Sequence, residues 1–249
     1  MLDTHLFAAG SLVQGRYRVV RRIGRGGMGT VYEAVDTRLG SRVALKWLPT
    51  PPGDEQRTRL LLRAFEREAK ILAGLRHAAL PAVRDFFGDA GGHYLAMEFI
   101  PGDDLAALLA RRGAPFPAPL VLAWADALLG ALEYLHARHP AILHRDIKPQ
   151  NLKLTPAGEV VLLDFGLARG AEGGDGAGGS LLAYTPQYAP IEQIRGEPPD
   201  PRSDLYALAA TLHHLLTGEL PASAAARLQA ALEGRADPLR PAHELNPDV

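Results

Sequence analysis

Eight consecutive residues, His144 to Asn151 (HRDIKPQN), gather a His, an Arg, an Asp, a Lys and an Asn directly after an apolar helical run. The Pro among them forbids a regular helix. Such groups could exchange protons or bind ions, and a solvated surface loop would explain them equally well. Three further stretches bear on the choice. In IGRGGMGTV (Ile23–Val31), Gly24, Gly26 and Gly29 link two strand-like runs. Without a Cβ, such a link lets backbone N–H groups approach phosphate oxygens; a flexible hairpin is the alternative. A dinucleotide-binding turn needs a helix next, but β-branched TVYEAV follows, and no GxxxxGK[ST] occurs.

Lys46 is a polar residue inside the strand-like VALKWL, and Glu68 lies on the helical run that follows. Either alone reads as a solvated surface charge. Together, a strand Lys and a helix Glu can pair across a sheet–helix interface, which fixes the ammonium for binding phosphates. The fourth signal, DFG (Asp164–Gly166), follows the apolar VVLL and is a tripeptide that chance readily supplies.

The elements that would position these residues change character along the chain. Strands are expected at Arg16–Ile23, Thr30–Asp36 and Arg42–Leu48, from alternating patterns and Gly-containing turns. A helix is expected over Arg59–Leu75, where Leu61, Leu62, Phe65, Ala69 and Leu72 recur at helical spacing. Strands around Ala82–Phe87 and His93–Ile100 then end in the turn PGDD. Beyond Pro101 helices dominate: Ala118–Arg138 delivers the chain to HRDIKPQN, and Asp204–Gly218 ends on a Gly. Short strands at Leu152–Leu154 and Val160–Leu163 flank TPAG, and the Gly-rich GAEGGDGAGGS is expected to be mobile because ordering it costs entropy. The reading is an α+β chain: an extension over 1–15, a strand-rich lobe over 16–100 and a helical lobe over 101–249.

The four signals occur in the order Gly-rich loop, strand Lys, helix Glu, HRD…N, DFG, which is the signature order of protein kinases. Over about Gly15 to Gly218 the sequence resembles that family, and within it the bacterial eukaryotic-like Ser/Thr kinases. The resemblance implies a bilobal fold with a small antiparallel sheet and one main helix in the N-lobe and a mainly helical C-lobe. It also implies ATP with Mg²⁺ (or Mn²⁺), and protein substrates bearing Ser or Thr. By the same resemblance, Asp146 would accept the substrate hydroxyl proton and Lys148 would sit by the γ-phosphate. Asn151 and Asp164 would hold the metal. Lys46, aligned by Glu68, would bind the α- and β-phosphates, covered by the loop Ile23, Gly24, Arg25, Gly26, Gly27, Met28 and Gly29. Val31 and Ala44 would lie above the adenine and Lys153 below it. Met97 would be the gatekeeper, Glu98 and Ile100 would supply backbone hydrogen bonds, and Asp104 would bond the ribose. Arg145 would receive a phosphorylated activation-segment residue; among the candidates Ser180, Tyr184, Thr185 and Tyr188, Ser180 is the expected autophosphorylation site, a plain linker serine being the alternative, and Thr185 lies ahead of the substrate-facing loop. Self-association for autophosphorylation in trans is a further implied contact.

The sequence departs from the family in three places. Ile191 separates Pro190 from Glu192 in YAPIEQ, Tyr184 stands where a Gly usually precedes the Thr, and beyond the stretch after Gly218 the family normally adds two or so further helices, including an Arg that pairs with the Glu aligned to Glu192. The C-terminal helices are therefore expected to be missing, with no helix after Pro241. Two other functions compete with an active kinase: a catalytically impaired, kinase-like ATP-binding scaffold, and a small-molecule phosphotransferase. Retention of Lys46, Asp146 and Asp164 argues against the first, and the long segment with Thr185 and Glu192 against the second.

Bulk composition agrees. Lys and Arg number 27 against 28 Asp and Glu, a net charge of -1 that argues against a broad nucleic-acid surface. There is no Cys, so no disulfide or thiolate metal site. No apolar run is expected to reach the roughly 20 residues of a membrane span, and MLDTHLFAAG lacks the pattern of a signal peptide. The expectation is a cytoplasmic chain without membrane contact, or the cytoplasmic part of a longer, membrane-anchored protein.

Overall fold

The computed structural model describes residues 7–26, 29–49, 55–89, 91–165 and 185–249. The chain divides into two compact units, Met1–Arg76 with Pro81–Ile100, and His77–Leu80 with Pro101–Val249.

The first unit is a six-stranded antiparallel sheet in the order β1-β2-β3-β4-β6-β5 with one helix. Its elements are β1 (Leu12–Val13), β2 (Tyr17–Gly26), β3 (Gly29–Asp36), β4 (Arg42–Pro49), α1 (Glu55–Ala73), β5 (Val83–Asp89) and β6 (Gly92–Glu98). Strand side chains alternate between faces, and the register sorts them into two sets. Tyr32, Leu45 and Ala96 stand opposite one another, as do Trp47 and Tyr94. With Tyr17, Val19, Ala34 and Val43 they form one buried cluster. Phe7 packs edge-on against Tyr32 and Trp47, with ring centroids 5.6 and 5.1 Å apart. Part of the expected N-terminal extension thus belongs to the core of the sheet. The other face presents Val31, Lys46 and Leu95 in one row and Ala44 and Met97 in the next.

Helix α1 begins at Glu55, earlier than expected, and buries Ala64, Phe65, Glu68, Ala69 and Leu72 along one stripe. Phe65 meets Phe86 of β5 at 5.9 Å between centroids. The charged Glu68 therefore sits in an otherwise apolar stripe, where burial is unfavourable unless a partner is supplied.

The second unit holds a small sheet, β7 (Asp103–Asp104), β8 (Leu152–Leu154) and β9 (Val160–Leu162), and six α-helices among the described residues. These are α2 (Leu105–Arg112), α3 (Ala118–His136), α4 (Ile191–Arg195), α5 (Pro201–Thr217), α6 (Ala224–Leu232) and α7 (Ala242–Leu245). Helix α2, not expected from the sequence, follows the PGDD turn without a break; Asp104 caps it and Gly113 ends it in the left-handed region. After Pro241, where no helix is expected from the sequence, α7 makes one turn. Helix α3 buries Val121, Trp124, Leu128, Leu132 and Leu135 at helical spacing. By length and composition alone α3 is apolar enough to cross a membrane, at a mean hydropathy of 1.4, so the expectation of no such run fails. Only 39% of that stretch is buried: Val121, Trp124, Leu128, Leu132 and Leu135 pack into the unit, while Leu122 and Leu129 are exposed. Helix α5 starts at Pro201, three residues before the expected Asp204, because Asp200 and Ser203 form a reciprocal capping box.

Candidate active site

In the first unit, Lys46 on β4 and Glu68 on α1 are both buried, and Lys46 Nζ donates to Glu68 Oε1 at 2.8 Å. A buried ion pair loses hydration on both sides and adds little net stability, so packing alone does not explain it. It does hold an ammonium at a fixed point on the sheet face shared with Val31, Ala44 and Met97. Gly29 is in the left-handed half of backbone space, and a Cβ there would collide with the Trp47 carbonyl; that glycine is required by the sheet itself. A Cβ at Gly24 would meet only the Val31 side chain, at ordinary contact distance. Gly24, Arg25 and Gly26 end β2, after Ile23, while Gly27 and Met28 lie outside the described residues. Met97 and Ile100 are buried, and the Glu98 N–H is spent on the Ala82 carbonyl at 2.8 Å.

In the second unit, HRDIKPQN is irregular until Pro149 opens a 3-10 turn ending at Asn151. The Asn151 amide nitrogen donates to both the Asp146 carbonyl, at 2.8 Å, and Asp146 Oδ2, at 3.0 Å. That commits Nδ2 and turns the carbonyl oxygen Oδ1 to the opposite side. Lys148 Nζ lies 3.1 Å from the same Oδ2 and donates to Thr185 Oγ1 at 3.3 Å. Asp146, Lys148, Asn151 and Thr185 are therefore one connected cluster. Asp164, exposed and with φ +55, follows Leu163, whose N–H donates to the Asn151 carbonyl at 2.8 Å. Asp104 Oδ1 accepts from the Ala107 N–H at 2.8 Å as the cap of α2, and it stands opposite Lys153 in the β7–β8 register. Gly166, Ser180 and Tyr184 lie outside the described residues, as does the Gly-rich run.

His144 is fully buried, its ring 4.6 Å from that of Phe165. Burial pushes it below the ordinary histidine value, so the ring is neutral near pH 7. Nδ1 then accepts from the Asp146 N–H at 3.3 Å, and Nε2–H donates to the Leu163 carbonyl at 3.1 Å.

A family model described as "Protein kinase domain" matches residues 17–240. The chain belongs to the protein kinase family. Within that family it is 38% identical over 212 residues to the serine/threonine-protein kinase PknL of Mycobacterium tuberculosis, covering 85% of this chain and 51% of PknL. It is 34% identical over 249 residues to PknA of the same organism, covering 96% of this chain and 55% of PknA. The chain thus spans about half the length of these curated relatives. A solved structure named "PpkA-294 apo form" superposes with a TM-score of 0.77 at 27% identity, covering 96% of this chain and 86% of that one. The α+β kinase fold is the fold of this protein.

Kinases use ATP with a divalent cation, and the donors present suit both. Asn151 offers a carboxamide oxygen and Asp164 a carboxylate, hard ligands for a hard cation; Lys46 offers a fixed ammonium to an anion.

Four residues escaped the sequence reading. Asp204, buried in the first turn of α5, accepts from the His144 N–H at 2.9 Å and the Arg145 N–H at 2.8 Å. His136 of α3 shares Asp204 Oδ2 at 2.9 Å. Burial raises the Asp204 carboxyl, but the hydrogen bonds from His136 and the two backbone N–H groups outweigh it and hold it below the usual carboxylate range. Ser203 Oγ donates to Glu192 Oε1, and Gln193 Nε2 donates to the Arg145 carbonyl at 3.2 Å. An acid opening an apolar helix is an ordinary dipole-favoured choice, so Asp204 carried no distinctive signal.

Proposed function

We propose that this chain transfers the γ-phosphoryl group of Mg-ATP to serine and threonine hydroxyls of proteins. The observation behind this reading is the connected cluster of Asp146, Lys148, Asn151 and Thr185, in a chain that also keeps the buried Lys46–Glu68 pair. Phosphoryl transfer needs little covalent help from a protein; positioning and charge neutralisation supply the acceleration. Asp146, its carboxylate oriented by Asn151 and Lys148, orients the acceptor hydroxyl and takes its proton as the new O–P bond forms and the bond to the β-phosphate oxygen breaks. Lys148 offsets charge on the transferring group while bonding Thr185. Lys46, held by Glu68, binds the α- and β-phosphates, and the backbone of Arg25–Gly29 covers them. Asn151 and Asp164 hold Mg²⁺, which supplies charge neutralisation when bound. Val31, Ala44, Met97, Glu98, Ile100 and Lys153 contact the adenine, and Asp104 the ribose.

Lys148 and Thr185 favour Ser/Thr over Tyr acceptors. Activation by autophosphorylation in trans, with Ser180 as acceptor and Arg145 as the receiving cation, belongs to the same reading. Incubation with Mg-ATP and a generic protein acceptor, followed by phosphoamino-acid analysis and phosphopeptide mapping, tests it. Phosphoserine and phosphothreonine are expected, with Ser180 modified. Phosphotyrosine alone would overturn the substrate class, and an unmodified Ser180 in fully active enzyme the regulatory part.

A further inference from the structure

We infer that Gln193 is a positioning residue for Asp146, closing a ring of contacts between the catalytic loop and the segment around Thr185; this rests on the kinase reading above. The ring can be followed atom by atom. Asp146 Oδ2 meets Lys148 Nζ at 3.1 Å, and Lys148 Nζ donates to Thr185 Oγ1 at 3.3 Å. The Thr185 carbonyl accepts from the Tyr188 and Ala189 N–H groups at 3.0 and 3.2 Å, and Ile194 N–H bonds the Pro190 carbonyl at 3.2 Å, which carries the chain into α4. From α4, Gln193 Nε2 returns to the Arg145 carbonyl at 3.2 Å, one peptide before Asp146.

That last contact falls on a sensitive atom. Arg145 has φ +67, a conformation that a non-glycine residue keeps only where neighbours fix it. Its N–H is held by Asp204 Oδ1 at 2.8 Å. The Arg145 carbonyl and the Asp146 N–H belong to one rigid peptide plane. Gln193 pins the oxygen end of that plane, and His144 Nδ1 accepts from the nitrogen end at 3.3 Å. A plane fixed at both ends sets the direction in which the Asp146 side chain leaves the backbone. Because the Arg145 carbonyl is an acceptor, only the nitrogen of the Gln193 amide can face it, so a donor is required here.

Arg145, Asp146, Thr185, Tyr188 and Gln193, among others, line a half-open pocket of about 10 Å³, room for one water at most. In sequence Gln193 is merely the polar residue after Glu192, which reads as a solvated helix position.

Two variants separate a positioning role from general loss of structure. Gln193→Met keeps the length and removes the donor; Gln193→Lys restores a donor at similar reach. Losing this hydrogen bond is expected to lower kcat about tenfold in Gln193→Met, with KM for ATP within about twofold of wild type, and Gln193→Lys recovers most of the loss. Hydrogen exchange supplies a readout independent of activity: the backbone over 143–147 exchanges about fivefold faster in Gln193→Met. An unchanged kcat in Gln193→Met, or Gln193→Lys no better than Gln193→Met, would overturn the inference. Should wild type transfer no phosphate at all, the kinase reading fails, and exchange alone decides Gln193: unchanged rates over 143–147 refute it.

Discussion

Lys46 and Glu68 illustrate how stability and function part company within one pair. Both are buried and joined at 2.8 Å. Removing only the cation takes the ion-pair partner from a buried carboxylate, so Lys46→Met is expected to cost about 3–5 kcal/mol. The double variant Lys46→Met/Glu68→Leu removes both charges and should regain most of that stability while remaining inactive. Thermal melts and phosphoryl-transfer rates on the same preparations check this; activity in the stabilised double variant would show that the ammonium is dispensable. Lys153 makes the opposite case. If its methylene stem is what packs against the adenine, Lys153→Leu leaves ATP affinity intact, and a loss beyond about tenfold in a binding titration would contradict that.

At the scale of elements, the first turn of α5 does more than begin a helix. Asp200 and Ser203 cap it, Ser203 reaches Glu192, and Asp204 holds the backbone of His144 and Arg145 against His136. Asp204→Asn leaves one backbone donor facing an amide nitrogen, for an expected loss of about 1–3 kcal/mol, with catalysis reduced in step. The pH dependence follows from signs. A carboxylate held below its ordinary value contributes stability that is complete above the unfolded value and is lost as pH falls through the folded one. His144 and His214, both pushed down by burial, are neutral when folded, so their contribution is complete above the ordinary histidine value and declines as pH falls below it. The melting temperature should therefore drop between pH 7 and 5, before Asp204 responds. His144→Phe, which keeps a ring beside Phe165, lowers the melting temperature at pH 7 but flattens this drop, His214 retaining part of the slope. An equally steep drop in the variant would remove His144 from the account.

These elements also mark where sequence reading stops. Alternation in β3 and β4 and the apolar stripe of α1 were legible because each is set by local period, and with them the pairing of Lys46 and Glu68. HRDIKPQN was legible because residue types and order specify it. Helix α2 was not, since a short helix starting directly at a turn offers one cap and little periodicity. Asp204, Gln193 and Ser203 were hidden for a different reason: their partners are backbone atoms or residues distant in sequence, and nothing in an isolated Asp, Gln or Ser announces them. The role of Phe7 likewise depends on a sheet face assembled from Tyr32, Trp47 and Tyr94.

For the whole molecule, the two compact units are distinct: one holds the buried Lys46–Glu68 pair, the other the Asp146–Lys148–Asn151–Thr185 cluster to which the proposed function gives the acceptor hydroxyl. The family match runs over 17–240, while the chain spans about half of its curated relatives, so the activity of these 249 residues by themselves is the central question. The most direct measurement is the rate of γ-phosphoryl transfer from Mg-ATP to a generic Ser/Thr protein, comparing wild type with Asp146→Asn at matched nucleotide occupancy. Wild type is expected to transfer measurably, and Asp146→Asn at a rate about 10²–10⁴-fold lower with ATP affinity unchanged. No transfer by wild type that nonetheless binds ATP, or equal rates in the two proteins, would contradict this expectation.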